Sequence, residues 1–328
     1  MLRWLPRLAA RLLFTVAGAV GLAHAQPLQR IVLATDWLAE AEHGGFYQAV
    51  AEGIYRKAGL DVTIRMGGPQ INGLQLLAAG EIDVAMGDAL QVISAVERNV
   101  PLVAIAATFQ KNPTVLIAHP GVHRLADLKG KPIAVSSAAN TTFWPWLRAK
   151  YGFTDDQKRP YAFSVQPFLA EPSLSQQGFV TSEPYSIEKG GIEPVVFLLA
   201  DDGYPPYSET LSVTRKTLAS RADALQRFVR ASAEGWKRYL VDPAPGNALI
   251  RKANPAMTGD LLAYGLREIR EHELVTGGDA RRLGLLAMTD SRWQATFAFL
   301  REAGLARSGI DYRRAYTLDI VKAVRVVP

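Results

Sequence analysis

From Arg30 onward, apolar runs of strand length alternate with segments of helical periodicity, and this alternation limits the fold more than any other feature. The runs fall at 31–34, 62–66, 84–86, 102–107, 115–118, 133–135, 179–180, 195–199 and 211–213. Strands separated by helices build an α/β fold with mainly parallel sheets, because a parallel neighbour needs a crossover long enough to hold a helix. Two helices are readable early and late. Phe46, Val50 and Ile54 recur at helical spacing before Gly59 ends the run. Between 220 and 240, Ser220 and Asp223 read as a capping pair, Leu225, Phe228, Val229, Trp236, Tyr239 and Leu240 share one face, and Pro243 stops the helix. After Val213 the pattern is almost wholly helical, so the last third reads as helices packed onto sheets already built.

The length favours two lobes over one, at about 100–200 residues per domain. Two polar, proline-containing stretches, Gln110-Lys111-Asn112-Pro113 and Tyr204-Pro205-Pro206-Tyr207-Ser208, read as crossings between them. The expected division is 26–112 with 214–328 in one lobe and 113–213 in the other. Residues 1–25 read as a cleavable secretory signal. Arg3, Arg7 and Arg11 precede an apolar run at 12–22, and Ala23-His24-Ala25 supplies the small-residue cleavage pattern before Gln26. That run is too short to span a bilayer, which needs roughly 20 apolar residues.

The sequence contains no cysteine. This excludes disulfide frameworks, thiolate metal sites and cysteine nucleophiles. It also bears on location: a lipid-anchored export product carries a cysteine at its cleavage site, and here Gln26 follows instead. The expected compartment is the periplasm, without a lipid anchor. Removing a signal with three arginines and no acid takes the formal charge from +6 to +3, too little to mark a nucleic-acid partner. There is no G-x-G-x-x-G, no P-loop and no G-x-S-x-G elbow. His272-Glu273 opens like a zinc-protease motif but lacks the second histidine, and the loop from His119 to His123 has no acidic ligand. No catalytic set, metal site or cofactor is expected.

The informative places are those where a strand gives way to a small, polar loop and a helix begins, since ligands in α/β folds bind at the C-terminal ends of parallel strands. Four such junctions occur: Thr35-Asp36-Trp37 through His43-Gly44-Gly45, Gly87-Asp88, the hydroxyl-rich run from Ser136 to Thr142, and Thr181-Ser182-Glu183-Pro184. The candidate ligand contacts are Trp37 and His43, Asp88, then Ser137, Asn140 and Thr141, and finally Glu183, with Phe109 assisting Trp37. Each has a structural alternative. Trp37 suits an interface, His43 a helix cap and Asp88 an N-cap, while a helix dipole alone favours an acid at Glu183.

These junctions carry a family resemblance. Leu33-Ala34-Thr35-Asp36-Trp37, His43, Gly53-Ile54-Tyr55, Gly59-Leu60-Asp61-Val62, Gly80-Glu81-Ile82-Asp83-Val84-Ala85 and Leu125-Ala126-Asp127-Leu128-Lys129-Gly130-Lys131-Pro132 resemble the periplasmic solute-binding proteins of ABC importers. The branch they match includes binders of thiamine-pyrimidine precursors, sulfonates and nitrate. The resemblance implies a two-lobed, type II-like fold with two crossover strands as a hinge, closing on a small ligand. It implies an inner-membrane ABC permease with its ATPase as partner to a monomeric binder. An aromatic and a histidine of the first loop meet the ligand in pyrimidine binders, which maps to Trp37 and His43. The loop that holds an acidic group maps to 136–142, and the later acidic residue to Glu183. The sequence departs from the family at Gln176-Gln177-Gly178. A eukaryotic branch of enzymes makes the thiamine pyrimidine from its own histidine and carries a cysteine-rich motif, which this chain lacks. The expected solute is a planar heteroaromatic of the pyrimidine type, with a small sulfonate, nitrate or carboxylate as the competitor.

Overall fold

A computed structural model describes residues 1, 27–68, 71–161, 163–306 and 309–328. The expected signal peptide lies almost wholly outside the described residues. Among these described residues, ten strands form two five-stranded sheets. The strands are β1 (Gln29–Ala34), β2 (Leu60–Arg65), β3 (Val84–Gly87), β4 (Leu102–Phe109), β5 (Thr114–Ala118), β6 (Ile133–Val135), β7 (Lys158–Pro160), β8 (Ser175–Phe179), β9 (Val195–Leu198) and β10 (Ser208–Thr214). The first sheet runs β2-β1-β3-β10-β4 and the second β7-β6-β8-β5-β9.

The sheets are more mixed than the alternation predicts. β1 is parallel to β2 and β3, and β6 is parallel to β7 and β8. By contrast, β10 is antiparallel to β3 and β4, and β5 is antiparallel to β8 and β9. The antiparallel members are the two strands that enter a sheet directly from the other one. The first crossing, 110–113, has no room for a helix, and the return crossing lies at 199–207. β10 therefore belongs to the first sheet. Lys111 of one crossing and Asp201 of the other form an ion pair at 2.5 Å.

Two further expectations need correction. β7, Lys158-Arg159-Pro160, has no apolar signature because it is an exposed edge strand, where proline is tolerated. The long helix Arg215–Tyr239 starts five residues before Ser220. Thr214 caps it by accepting from the Thr217 N–H at 3.0 Å, and Arg221 interrupts it with non-helical angles. Ser220 is no cap: its hydroxyl donates to the Lys216 carbonyl, while Asp223 pairs with Arg227.

Helix Gly44–Ala51 packs tightly on this long helix, and its two leading glycines make that contact possible. A Cβ on Gly45 would lie 2.2 Å from the Trp236 ring, and one on Gly44 would lie 2.1 Å from Tyr239. Both glycines close the first of the strand–loop–helix junctions. Their freedom is used for helix packing. The result is a rigid base of Phe46, Phe228, Trp236 and Tyr239 beneath the loop that follows β1.

Candidate functional site

A cavity of about 290 Å³ lies where the strand ends of the two sheets face each other. The segment after β1 contributes Asp36, Trp37 and Glu40, and that after β3 contributes Asp88. From the second sheet come Ser136, Ser137 and Ala138 after β6, Tyr161 and Phe163 after β7, and Ser182 and Glu183 after β8. Tyr204, of the return crossing, closes one wall.

The loop after β1 is firmly built. Thr35 Oγ1 donates to the Trp37 carbonyl at 2.7 Å and accepts from the Gly67 N–H at 3.1 Å. The Gly67 N–H also reaches the Trp37 carbonyl at 3.1 Å, and a Cβ on Gly67 would stand 2.3 Å from the Thr35 oxygen. This clamp presents the Trp37 ring to the cavity. Opposite it stands Phe163, with ring centroids 4.6 Å apart and planes inclined at 37°. Tyr161 packs on Phe163 at 5.2 Å, so three rings from two sheets meet at one end of the cavity. Phe163 is exposed and holds a φ of +56°, a left-handed conformation that a side chain adopts only at a cost.

The polar lining has one sign. Asp36, Glu40, Asp88 and Glu183 line the cavity, and among the described residues no lysine, arginine or histidine does. Burial pushes the Asp88 carboxyl up to about 7, even though it accepts from the Leu90 N–H at 2.8 Å and from Asn112 at 3.4 Å. Burial also raises Glu40, and the neighbouring Glu42, Glu183 and Asp36 raise it further. Behind Asp36 lies Glu209, raised by burial and then by Asp36 itself. Burial works the same way on Asp36, but the hydrogen bonds it accepts from His43 and Glu209 outweigh it and hold that carboxyl low. The pair thus favours its proton on Glu209 rather than on Asp36.

Four of the expected contacts line this cavity: Trp37, Asp88, Ser137 and Glu183. The other four do not. His43 is buried behind Asp36, with Nε2 3.2 Å from Asp36 Oδ1, and its Nδ1 accepts from the Glu40 N–H at 3.4 Å in a capping arrangement. Phe109 is fully buried against Trp236. Asn140 turns its amide to the Ser137 carbonyl and accepts from Lys158, and Thr141 donates to the Ala138 carbonyl. The hydroxyl-rich run thus spends much of its polarity on its own backbone. Glu183 lines the cavity but is heavily engaged, accepting from Tyr161 at 2.8 Å, the Phe179 N–H at 2.7 Å and Ser182 at 2.6 Å.

Asp36, His43 and Glu209 could reach a common ion, since one donor atom from each lies within 4.8 Å of the others. Protonation argues otherwise. With Nδ1 accepting from a backbone N–H, the imidazole must point its Nε2–H, not a lone pair, at Asp36. The three form a hydrogen-bonded chain that fixes the Asp36 carboxylate at the cavity floor.

Sequence reasoning missed Asp36, Glu40, Tyr161 and Phe163. The first two flank Trp37, and their neighbourhood was the available signal. Tyr161 and Phe163 follow an edge strand without a pattern and had none.

The NMT1/THI5 like family model matches residues 40–245. The riboflavin-binding protein RibY of Chloroflexus aurantiacus is 24% identical, covering 91% of this chain and 88% of its own. The formylaminopyrimidine-binding protein of Halalkalibacterium halodurans is 23% identical over 66% of this chain and 68% of its own. Among solved structures, the periplasmic aliphatic sulphonate binding protein SsuA from Escherichia coli superposes with a TM-score of 0.65 at 15% identity, covering 87% of this chain and 91% of that one. The desulfurization enzyme DSZB gives 0.59 at 13%, covering 89% and 97%. The chain thus has the two-lobed α/β fold of periplasmic binding proteins, a fold that serves binding and catalysis alike.

Proposed function

The chain belongs to the NMT1/THI5-like family, and from that premise we propose that it is the solute-binding component of an ABC importer. In this reading it is exported to the periplasm, acts as a monomer and performs no covalent chemistry. One lobe comprises 27–109 and 208–328, the other 114–198, and the two crossings are the hinge. A planar heteroaromatic solute would part Trp37 and Phe163 and stack between them, and closure of the lobes around it would create the surface offered to the permease.

One observation carries the choice of solute class: aromatic rings from both sheets meet over a polar lining that is acidic, with no basic group among the described residues. A sulfonate, nitrate or carboxylate would enter beside four carboxyl groups without a counter-charge, and desolvating an unpaired anion is costly. A heteroaromatic ring instead offers N–H donors to those carboxylates and flat faces to Trp37 and Phe163. The cavity stands at the small end of ligand sites, about 300–1,000 Å³, so a single-ring pyrimidine fits it better than a flavin. The RibY and formylaminopyrimidine-binding relatives are named for ligands that contain such rings.

Thermal denaturation with pyrimidines, flavins, sulfonates and nitrate tests the reading. A true ligand at 100 times its Kd stabilises the native state by about 2.7 kcal/mol. Pyrimidines are expected to raise Tm by several degrees and the anions to leave it unchanged. A rise with sulfonates alone would overturn the assignment.

A further inference from the structure

We infer that the solute is a cation: the cavity is an aromatic cage over an acidic floor, suited to a flat ring that bears a protonated or quaternary nitrogen. The inference rests on the cavity being the solute site, and it adds a charge to the ring already proposed.

Three observations carry it. Asp36, Glu40, Asp88 and Glu183 converge on one cavity of about 290 Å³, and no ion pair to lysine or arginine is made by any of them among the described residues. The fold elsewhere pairs its acids freely, as in Asp83 with Arg221 and Glu52 with Arg238. An acid-lined hollow left without a cation is thus a local property, and a charge arriving with the solute would compensate it.

The cage itself is the second observation. Trp37, Phe163 and Tyr161 stand at successive centroid separations of 4.6 and 5.2 Å, and the Phe143, Phe179 and Tyr204 rings line the remaining wall. Rings so grouped attract a cation placed over their faces, most strongly where water is excluded. A neutral ring gains stacking here, whereas a cationic ring gains stacking and the acids together.

Third, two buried oxygens have no hydrogen-bond partner, Tyr204 Oη in the cavity wall and Glu209 Oε2 behind Asp36, each on a residue only 2% exposed. Glu209 is held there with a φ of +54°, a strained conformation that places an acid directly behind Asp36. A core built for packing alone would not keep a buried carboxyl in strained backbone behind Asp36 with one of its oxygens unsatisfied. A solute cation docked on Asp36 gives this arrangement a use, because Glu209 and His43 together fix the carboxylate that receives it.

The test is calorimetric titration of the mature protein at pH 7 with a matched pair of probes, 4-(aminomethyl)pyrimidine and 4-(hydroxymethyl)pyrimidine, together with an N-methylated pyrimidinium. The two cations are expected to bind at least tenfold more tightly than the alcohol. In Asp36→Asn, which removes the carboxylate that receives the cation, the ratio of amine to alcohol affinity should fall at least tenfold. Asp88→Asn, which keeps the oxygen that caps Leu90, serves as a second variant should the first fold poorly, and the ratio should fall there too. An alcohol that binds as tightly as the amine overturns the charge and leaves the heteroaromatic reading standing. Binding of sulfonates alone overturns both.

Discussion

The two walls that face each other across the cavity are built on opposite principles. On the first sheet, the loop after β1 is clamped: Thr35, Gly67 and the capping arrangement of Glu40 with His43 leave Trp37 and Asp36 little freedom. On the second sheet, Phe163 follows a three-residue edge strand, is exposed, and occupies left-handed backbone that costs about 1–3 kcal/mol. One wall is a prepared platform and the other an adaptable cover. A binder of this kind can fix specificity on the platform and leave the cover to follow closure.

The contrast can be broken from either side. Trp37→Ala removes the platform, and the loss of a buried aromatic contact should weaken pyrimidine binding by about 10–100-fold, as read by calorimetry. Retained affinity would remove Trp37 from the site. Gly67→Ala attacks the clamp rather than the ring. Its Cβ would meet the Thr35 oxygen at 2.3 Å, so the variant should lose about 1–3 kcal/mol in chemical denaturation and bind more weakly, although residue 67 has no side chain to touch the solute.

The acids of the platform give a pH test. Asp88 sits at about 7 in the folded chain against an ordinary value of 3.8. Between those values the native state holds a proton that the unfolded chain has released, so this group's contribution to stability falls as pH rises from about 4 to about 7 and is level above. Asp88→Asn keeps the cap but removes the titration. Its stability, measured by urea denaturation across that range, should fall less than that of the parent protein. Parallel curves would show that Asp88 titrates normally.

On the cover the expected effect is smallest. Phe163→Gly should be more stable than Phe163→Ala by about 1 kcal/mol, because glycine accepts φ of +56° without strain. Equal stability would mean that the strained backbone is not held in solution.

The same contrast explains what could be read in advance. Nine of the strands announce themselves as apolar runs, or in the case of β8 as a run displaced to its end, because each turns apolar side chains toward a core; β7 is polar and mostly exposed and leaves no such mark. Trp37, Asp88, Ser137 and Glu183 were legible from strand–loop–helix junctions, which place residues along the chain. Those junctions do not tell which side chains the fold turns inward. His43 and Phe109 sit beside the platform yet are buried behind it, and Asn140 and Thr141 bond to their own turn. The missing basic group became visible only when residues far apart in the chain were brought to one cavity.

The most direct measurement is a crystal structure of the protein with a bound pyrimidine. The account predicts the ring between Trp37 and Phe163, whose centroids move from 4.6 Å to roughly 7 Å, because an inserted ring needs a stacking distance on each side. A solute bound elsewhere, with these two rings still in contact, would contradict it.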